Sequence, residues 1–208
     1  MSDLVHIMDH AVVDHHLAHI RDQRTSAAEF RKRTRALASL LISVATQKLP
    51  QQEQCVTTPL ETMSCRILTG RLAAVPILRA GLVLVDPLLD LIPEVEVRHL
   101  GMFRDETTAQ PVHYYNKLPE QDPPQTALVL DPMLATGGSA IAAIQALQRW
   151  GVTDIRMLAV IAAPEGIAAL QAECPDVAIF CCACDRELND QKFILPGLGD
   201  AGDRIFGT

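Results

Sequence analysis

Ala127-Leu128-Val129-Leu130-Asp131-Pro132-Met133-Leu134-Ala135-Thr136-Gly137-Gly138-Ser139 is the stretch on which the fold turns. Residues 127–130 are a short apolar run of the kind that forms a buried strand, and the run stops on an acid. A Thr-Gly-Gly-Ser turn then opens a helical pattern over 139–150, closed by Gly151. In open parallel sheets, ligands sit at the carboxyl ends of strands. Two consecutive glycines let the backbone curl its N–H groups around an anion. The helix amino terminus behind them adds partial positive charge, and the hydroxyls of Thr136 and Ser139 can donate as well. The loop is not a Walker A, because it has no lysine and its glycines are differently spaced. A phosphate monoester needs no more than these amides and hydroxyls.

Outward from that loop, strands are predicted at 73–78, 155–162 and 177–182, and helices at 82–91 and 166–173. Strands that alternate with helices predict an α/β fold, a mainly parallel sheet flanked by helices. Two strand-like runs, 97–103 and 112–118, flank the polar 104–111, so an inserted β-hairpin of about 97–118 is predicted as a lid or dimer arm. Residues 1–48 form an N-terminal helical segment. Within it, Ser26 and Glu29 have capping-box spacing, Phe30, Leu37, Leu41 and Val44 share one helix face, and Arg31, Lys32, Arg33 and Arg35 form a basic, solvated face. No linker or repeat divides the chain, so 1–208 is expected to be one domain.

Composition narrows the classes. The 208 residues are 49% hydrophobic and 21% charged, with a formal net charge of -7. That balance suits a globular protein and argues against a nucleic-acid binder. No apolar run is long enough for a membrane span, and Met1-Ser2-Asp3-Leu4 does not read as a secretory signal. Six cysteines in a chain able to build its own core fit a reducing, cytoplasmic setting.

A pyrophosphate, unlike a monophosphate, needs imported cations. Arg79, in Val75-Pro76-Ile77-Leu78-Arg79-Ala80-Gly81-Leu82, falls at another strand's carboxyl end, and Arg104, after Gly101-Met102-Phe103, falls at the hairpin base. Guanidinium forks suit phosphate oxygens. Three other patterns carry less. Gly197-Leu198-Gly199-Asp200-Ala201-Gly202 matches G-x-G-x-x-G but leaves no room for a βαβ unit. Cys181 and Cys184 have C-x-x-C spacing, but on a strand they face opposite ways and read as core thiols. His6/His10 and His15/His19 have i,i+4 spacing without the H-E-x-x-H pattern.

Residues 131–139 resemble the signature loop of type I phosphoribosyltransferases. With residues 75–82, 101–104, 163–170 and the ending 194–208, the chain resembles the uracil phosphoribosyltransferase family over nearly its whole length, least before Ser26. The resemblance implies a glycosyltransferase of pyrimidine salvage that makes UMP and pyrophosphate from uracil and phosphoribosyl pyrophosphate. It implies that Arg79, Arg104 and Asp200 contact phosphoribosyl pyrophosphate, and that Asp131, Pro132, Met133, Leu134, Ala135, Thr136, Gly137, Gly138 and Ser139 hold its 5′-phosphate and ribose. Ile194, Gly199, Asp200 and Ala201 are implied to meet uracil. Pro132 stands where the wider fold class usually has a second acid, which leaves Asp131 alone for the ribose hydroxyls. Mg²⁺ is then expected to be held mainly by the substrate pyrophosphate and water. Arg79, Arg104, Asp131 and Asp200 are the expected catalytic residues; Asp200 is the candidate base for uracil N1–H, its other reading being a loop-fixing side chain.

GTP activates some relatives and is carried as a candidate effector, and the expected assembly is a homodimer or homotetramer. No nucleic-acid or membrane partner is expected. Two rival functions are a phosphoribosyltransferase for another base and a nucleotide-sensing regulator with the same fold.

Overall fold

A computed structural model of the chain describes residues 3–104, 111–116 and 121–208. In chain order the elements are β1 (Val5–Ile7), α1 (Ala11–Arg21), α2 (Ala27–Thr46), β2 (Gln51–Thr57), β3 (Thr62–Leu68) and β4 (Leu72–Pro76). A 3-10 turn (Ala80–Leu84) then runs into α3 (Val85–Leu91), followed by β5 (Glu96–Val97), β6 (Leu100–Arg104), β7 (Pro111–Asn116), β8 (Thr126–Leu130) and β9 (Met133–Leu134). The chain continues through α4 (Gly138–Trp150), β10 (Asp154–Ala162), α5 (Pro164–Glu173), β11 (Ala178–Cys184), β12 (Glu187–Leu188), β13 (Ile194–Leu195) and α6 (Ala201–Phe206).

The central sheet runs β1-β11-β10-β8-β4-β5, all parallel, with β9 beside the end of β10. Its strands are near-continuous apolar runs because both faces are covered. Along β8 the pleat divides the residues: Leu128 and Leu130 join a core with α1, α2 and α6, whereas Ala127 and Val129 join a second core with α4 and α5. Each fully buried leucine in these layers contributes roughly 1.5–3 kcal/mol. From β4 the chain steps outward to β5 and then returns to the other side of β4 as β8. The strand order therefore reverses between β4 and β8, whose ends are level, with Pro76 opposite Leu130. A crevice at such a reversal is where doubly wound sheets bind ligands.

Several local expectations are revised. Ser26 does cap α2, its hydroxyl accepting from the Glu29 amide at 3.3 Å, but the Glu29 carboxylate pairs forward with Arg33 at 2.6 Å instead of reaching back. Phe30, Leu37 and Leu41 are buried, whereas Val44 is exposed, because the buried stripe continues through Ile42 and Ala45. The basic face stays solvated, with Arg31 and Lys32 exposed, while its arginines find partners: Arg31 donates to the Ile205 carbonyl at 2.6 Å, Arg33 holds Glu29 one turn back, and Arg35 meets Asp86 at 2.6 Å.

The inserted hairpin is β6–β7, antiparallel, with a bulge between Gly101 and Met102. It starts at Leu100; Val97 belongs to β5 in the main sheet. Residues 105–110 of its expected tip, and 117–120, lie outside the described residues. A second hairpin, β2–β3, was not anticipated. Within the 1–48 segment, Val5–Ile7 is an edge strand beside β11.

Candidate active site

Three segments meet at the reversal point. Asp131 follows β8, with its amide on the Leu158 carbonyl at 3.2 Å and its Oδ1 accepting from the Met133 amide at 3.2 Å. This turn sends 131–137 over the sheet edge into α4. Burial pushes the Asp131 carboxyl up to about 7, and the Met133 N–H offsets this only in part. Gly137 caps α4 in the left-handed region, φ +82°, and has no side chain of its own to close the helix end. A glycine at this cap suits close approach of an anion to the first amides of α4. A Cβ on Gly137 would stand 3.0 Å from the Gly166 carbonyl, and one on Gly166 would stand 2.3 Å from the Ala135 carbonyl. The start of α5 therefore walls the loop from behind. Pro132, Leu134 and Gly137 face inward, while Met133, Ala135, Thr136, Gly138 and Ser139 are half-buried at the surface of the turn.

The second segment is the turn after β4. The Ile77 amide donates to the Leu130 carbonyl at 2.9 Å, and a Cβ on Gly81 would stand 2.3 Å from that oxygen. Only glycine admits so close a backbone approach. Arg79 is thereby held next to the strand that delivers Asp131. Its side chain is exposed, reaches Asp203 at 3.4 Å and stacks 5.8 Å from the Phe206 ring centroid. The backbone of Arg104 closes β6, and its side chain lies outside what is described.

The third segment is the chain end. Asp200 caps α6, its Oδ1 accepting from the Asp203 amide at 2.9 Å. This is the loop-fixing role. Ile194, Gly199, Asp200 and Ala201 line a cavity of about 180 Å³ together with Met133 and Ala135 of the loop after β8. Residues expected to meet the base and residues expected to hold the ribose phosphate therefore share one wall. Gln191, Lys192 and Phe193 line it too and were missed from sequence. Their turn had a readable signal in Asn189-Asp190: the Asn189 side chain accepts from the Phe193 amide at 2.9 Å. Asp203 and Phe206, beside Arg79, were also missed, because α6 is too short to show periodicity.

A family model described as uracil phosphoribosyltransferase matches residues 7–208. The chain belongs to the uracil phosphoribosyltransferase family. A uracil phosphoribosyltransferase from Roseiflexus sp. (strain RS-1) is 52% identical over 204 residues, 98% of each chain. A solved structure of a protein from Aquifex aeolicus, 34% identical, superposes at a TM-score of 0.92 over 98% of each chain. A hypoxanthine-guanine phosphoribosyltransferase from Bacillus anthracis is 7% identical, with a TM-score of 0.50 over 74% of this chain and 78% of its own, a likeness of fold alone. The architecture of this uracil phosphoribosyltransferase family member is the mainly parallel, helix-flanked sheet expected, with antiparallel hairpins added.

The competing motifs resolve in the same frame. The G-x-G-x-x-G run follows β13 and its last two residues open α6, so a short helix does form where none was expected. Among the described residues β13 pairs with β12 alone, antiparallel and outside the main sheet, so these glycines open no βαβ crossover. Cys181 and Cys184 pack toward the same core, not opposite ones, because alternation breaks between Cys182 and Ala183, which both pack toward the other core. Burial drives the Cys181 and Cys182 thiols up to about 12, which disfavours the thiolate a metal would require.

Proposed function

We propose that this chain is a pentosyltransferase that moves the phosphoribosyl group of phosphoribosyl pyrophosphate to N1 of uracil, giving UMP and pyrophosphate in pyrimidine salvage. The observation that carries the reading is the shared wall: Met133 and Ala135 of the phosphate loop line the same cavity as Ile194, Gly199, Asp200 and Ala201. A sugar whose 5′-phosphate rests on the amides and hydroxyls of 136–139 directs C1′ toward a base seated there.

In this reading the bond from C1′ to the pyrophosphate oxygen breaks as the bond to uracil N1 forms, pyrophosphate leaves with the bonding electrons, and the N1 proton passes to Asp200, the candidate base. The protein aligns the partners and stabilises charge. Arg79 and Arg104 take up the growing charge on the leaving group. Asp131, alone at the strand end, accepts hydrogen bonds from the ribose hydroxyls. Asp200, as the cap of α6, fixes the Ala201 amide at the base and leans toward the sugar phosphate. The β6–β7 hairpin serves as lid or dimer arm.

Magnesium enters as part of the substrate. No three His, Cys, Asp or Glu side chains among the described residues are grouped to hold a metal, and a single carboxyl at Asp131 suits an ion that keeps its waters and substrate oxygens. On the pyrophosphate it neutralises leaving-group charge. GTP is kept as the effector to test, and a homodimer or homotetramer as the assembly. A cytoplasmic setting is supported by six free thiols.

The test is product identity. Purified chain, uracil, Mg²⁺ and phosphoribosyl pyrophosphate are expected to give UMP and pyrophosphate in equal amounts. Tight nucleotide binding with no UMP formed would favour the regulator instead.

A further inference from the structure

Both backbone groups of Gly197 end on a single ion pair drawn from distant parts of the chain. The Gly197 N–H donates to Asp185 Oδ2 at 2.9 Å, and the Gly197 carbonyl accepts from Arg21 Nη1 at 2.8 Å. Arg21 also forks onto Asp185, Nη1 to Oδ2 at 2.8 Å and Nη2 to Oδ1 at 2.6 Å. The Asp185 side chain is 5% exposed and that of Arg21 25%, so these bonds are shielded from water. Asp185 is anchored to the sheet, its amide donating to the Ala162 carbonyl at 2.8 Å. Arg21 is the last residue of α1, where a cation is favoured by the helix dipole.

Gly197 itself has no substitute. Its φ is +62°, and an added Cβ would stand 2.1 Å from the Ile194 carbonyl. The turn thus folds directly onto Ile194, which lines the cavity on one side, while Gly199, Asp200 and Ala201 line it after the turn. Whatever fixes Gly197 fixes the spacing between the two cavity-lining stretches.

We infer that Arg21 and Asp185 are positioning residues for the base: through Gly197 they hold the main-chain donors and acceptors of 194–201 at the spacing that reads uracil. This rests on the reading of 194–201 as the base loop. Backbone groups discriminate only while rigid, since a loop that shifts can present a different edge. Loss of the clamp therefore loosens base binding and base choice, and leaves the loop 131–139, which makes no hydrogen bond to Arg21 or Asp185 among those described, as it was.

The variants are Arg21→Met, Arg21→Lys and Asp185→Asn. The readouts are KM for uracil, the uracil-to-cytosine ratio of kcat/KM, and the Kd of Mg²⁺-phosphoribosyl pyrophosphate by calorimetry. Arg21→Met is expected to raise KM for uracil about tenfold to a hundredfold and to lower the uracil-to-cytosine ratio, with Kd for phosphoribosyl pyrophosphate changed less than about threefold. Arg21→Lys restores part of the loss, because an ammonium keeps the charge but not the fork. It also carries the test if Arg21→Met does not fold. Uracil KM unchanged in a folded Arg21 variant, or uracil KM and phosphoribosyl pyrophosphate Kd worsening together, would overturn the inference. Gly199→Ala, at φ +79° on the cavity wall, separates the two ideas. If it leaves uracil KM unaltered, the base-loop reading itself fails. If it raises uracil KM while the Arg21 variants do not, the clamp alone fails.

Discussion

Arg79 Nη2 and Asp203 Oδ1 meet at 3.4 Å, although 124 residues separate them in the chain. The pair joins the turn after β4 to α6, and so joins the proposed pyrophosphate cation to the helix that follows the base loop. Both side chains are more than half exposed, so the pair adds little to stability. Pyrophosphate oxygens would compete with Asp203 for the guanidinium.

Arg79→Ala is accordingly expected to lower kcat/KM for phosphoribosyl pyrophosphate by an amount worth about 2–4 kcal/mol, the scale of a lost electrostatic stabiliser. The melting temperature should scarcely move. Arg104→Ala is expected to behave alike. Near-normal turnover at low phosphoribosyl pyrophosphate would remove the substituted arginine from the site.

Gly137→Val should abolish binding of phosphoribosyl pyrophosphate. Valine resists φ +82°, and its Cβ would stand 3.0 Å from the Gly166 carbonyl, so the loop must move away from α5. Calorimetry on variant protein with a native-like circular dichroism spectrum checks this. Undiminished binding would move the anion site elsewhere.

Asp131 makes a pH prediction. Its carboxyl is raised from an ordinary 3.8 to about 7 by burial, so the folded state holds the proton more tightly than the unfolded chain. The stability this gives is complete below the unfolded pKa and is lost as pH rises through the folded one. Unliganded protein should therefore lose stability between about pH 4 and 7, and Asp131→Asn should flatten that slope. Denaturant titrations at several pH values read this directly. If the anion receives the ribose hydroxyls, kcat/KM for phosphoribosyl pyrophosphate should climb across neutral pH in the parent.

The central sheet was legible because its strands, buried on both faces, are apolar without interruption, as in 127–130. The strand-turn-helix at 126–150 was legible because Gly137 and Gly138 follow an acid-ended strand. The β2–β3 hairpin was not, since nearly every residue of Gln51–Thr57 is exposed and no alternation marks a face. Helix α6 is six residues long with Gly202 inside it, so neither period nor propensity announced it. Arg21 and Asp185 lie 164 residues apart, and nothing local in either segment signals the other. Removing residues 200–208, which looks like a simple way to delete the base loop, would also strip Ile205 from the core and the Arg204 side chain from the Leu198 carbonyl.

Thiol chemistry offers a check on the fold. Cys55 is exposed and Cys65 partly so, whereas Cys174, Cys181 and Cys182 are buried. With Cys181 and Cys182 pushed up to about 12, almost no thiolate is present at neutral pH. An alkylating reagent at pH 7.5 (about neutral, where free thiols begin to ionise) should label Cys55 first, then Cys65, and should reach Cys181 and Cys182 only after denaturation. Mass spectrometry of peptides resolves the order; early labelling of Cys181 would contradict the packing of β11.

The most direct measurement is base choice. Uracil presents an acceptor, a donor and an acceptor at O2, N3–H and O4. Main-chain groups of 194–201 cannot exchange donor for acceptor, and cytosine reverses two of the three. Each mismatch in a dry site costs about 1–3 kcal/mol, and sites of this kind reject mismatched analogues by roughly 10⁴ to 10⁵. Pyrophosphate release should be measured as kcat/KM with uracil, 5-fluorouracil, cytosine and hypoxanthine on one preparation. Uracil should be turned over strongly and 5-fluorouracil detectably, with cytosine and hypoxanthine near background. Comparable kcat/KM for uracil and hypoxanthine would contradict the assignment of Ile194, Gly199, Asp200 and Ala201 to uracil.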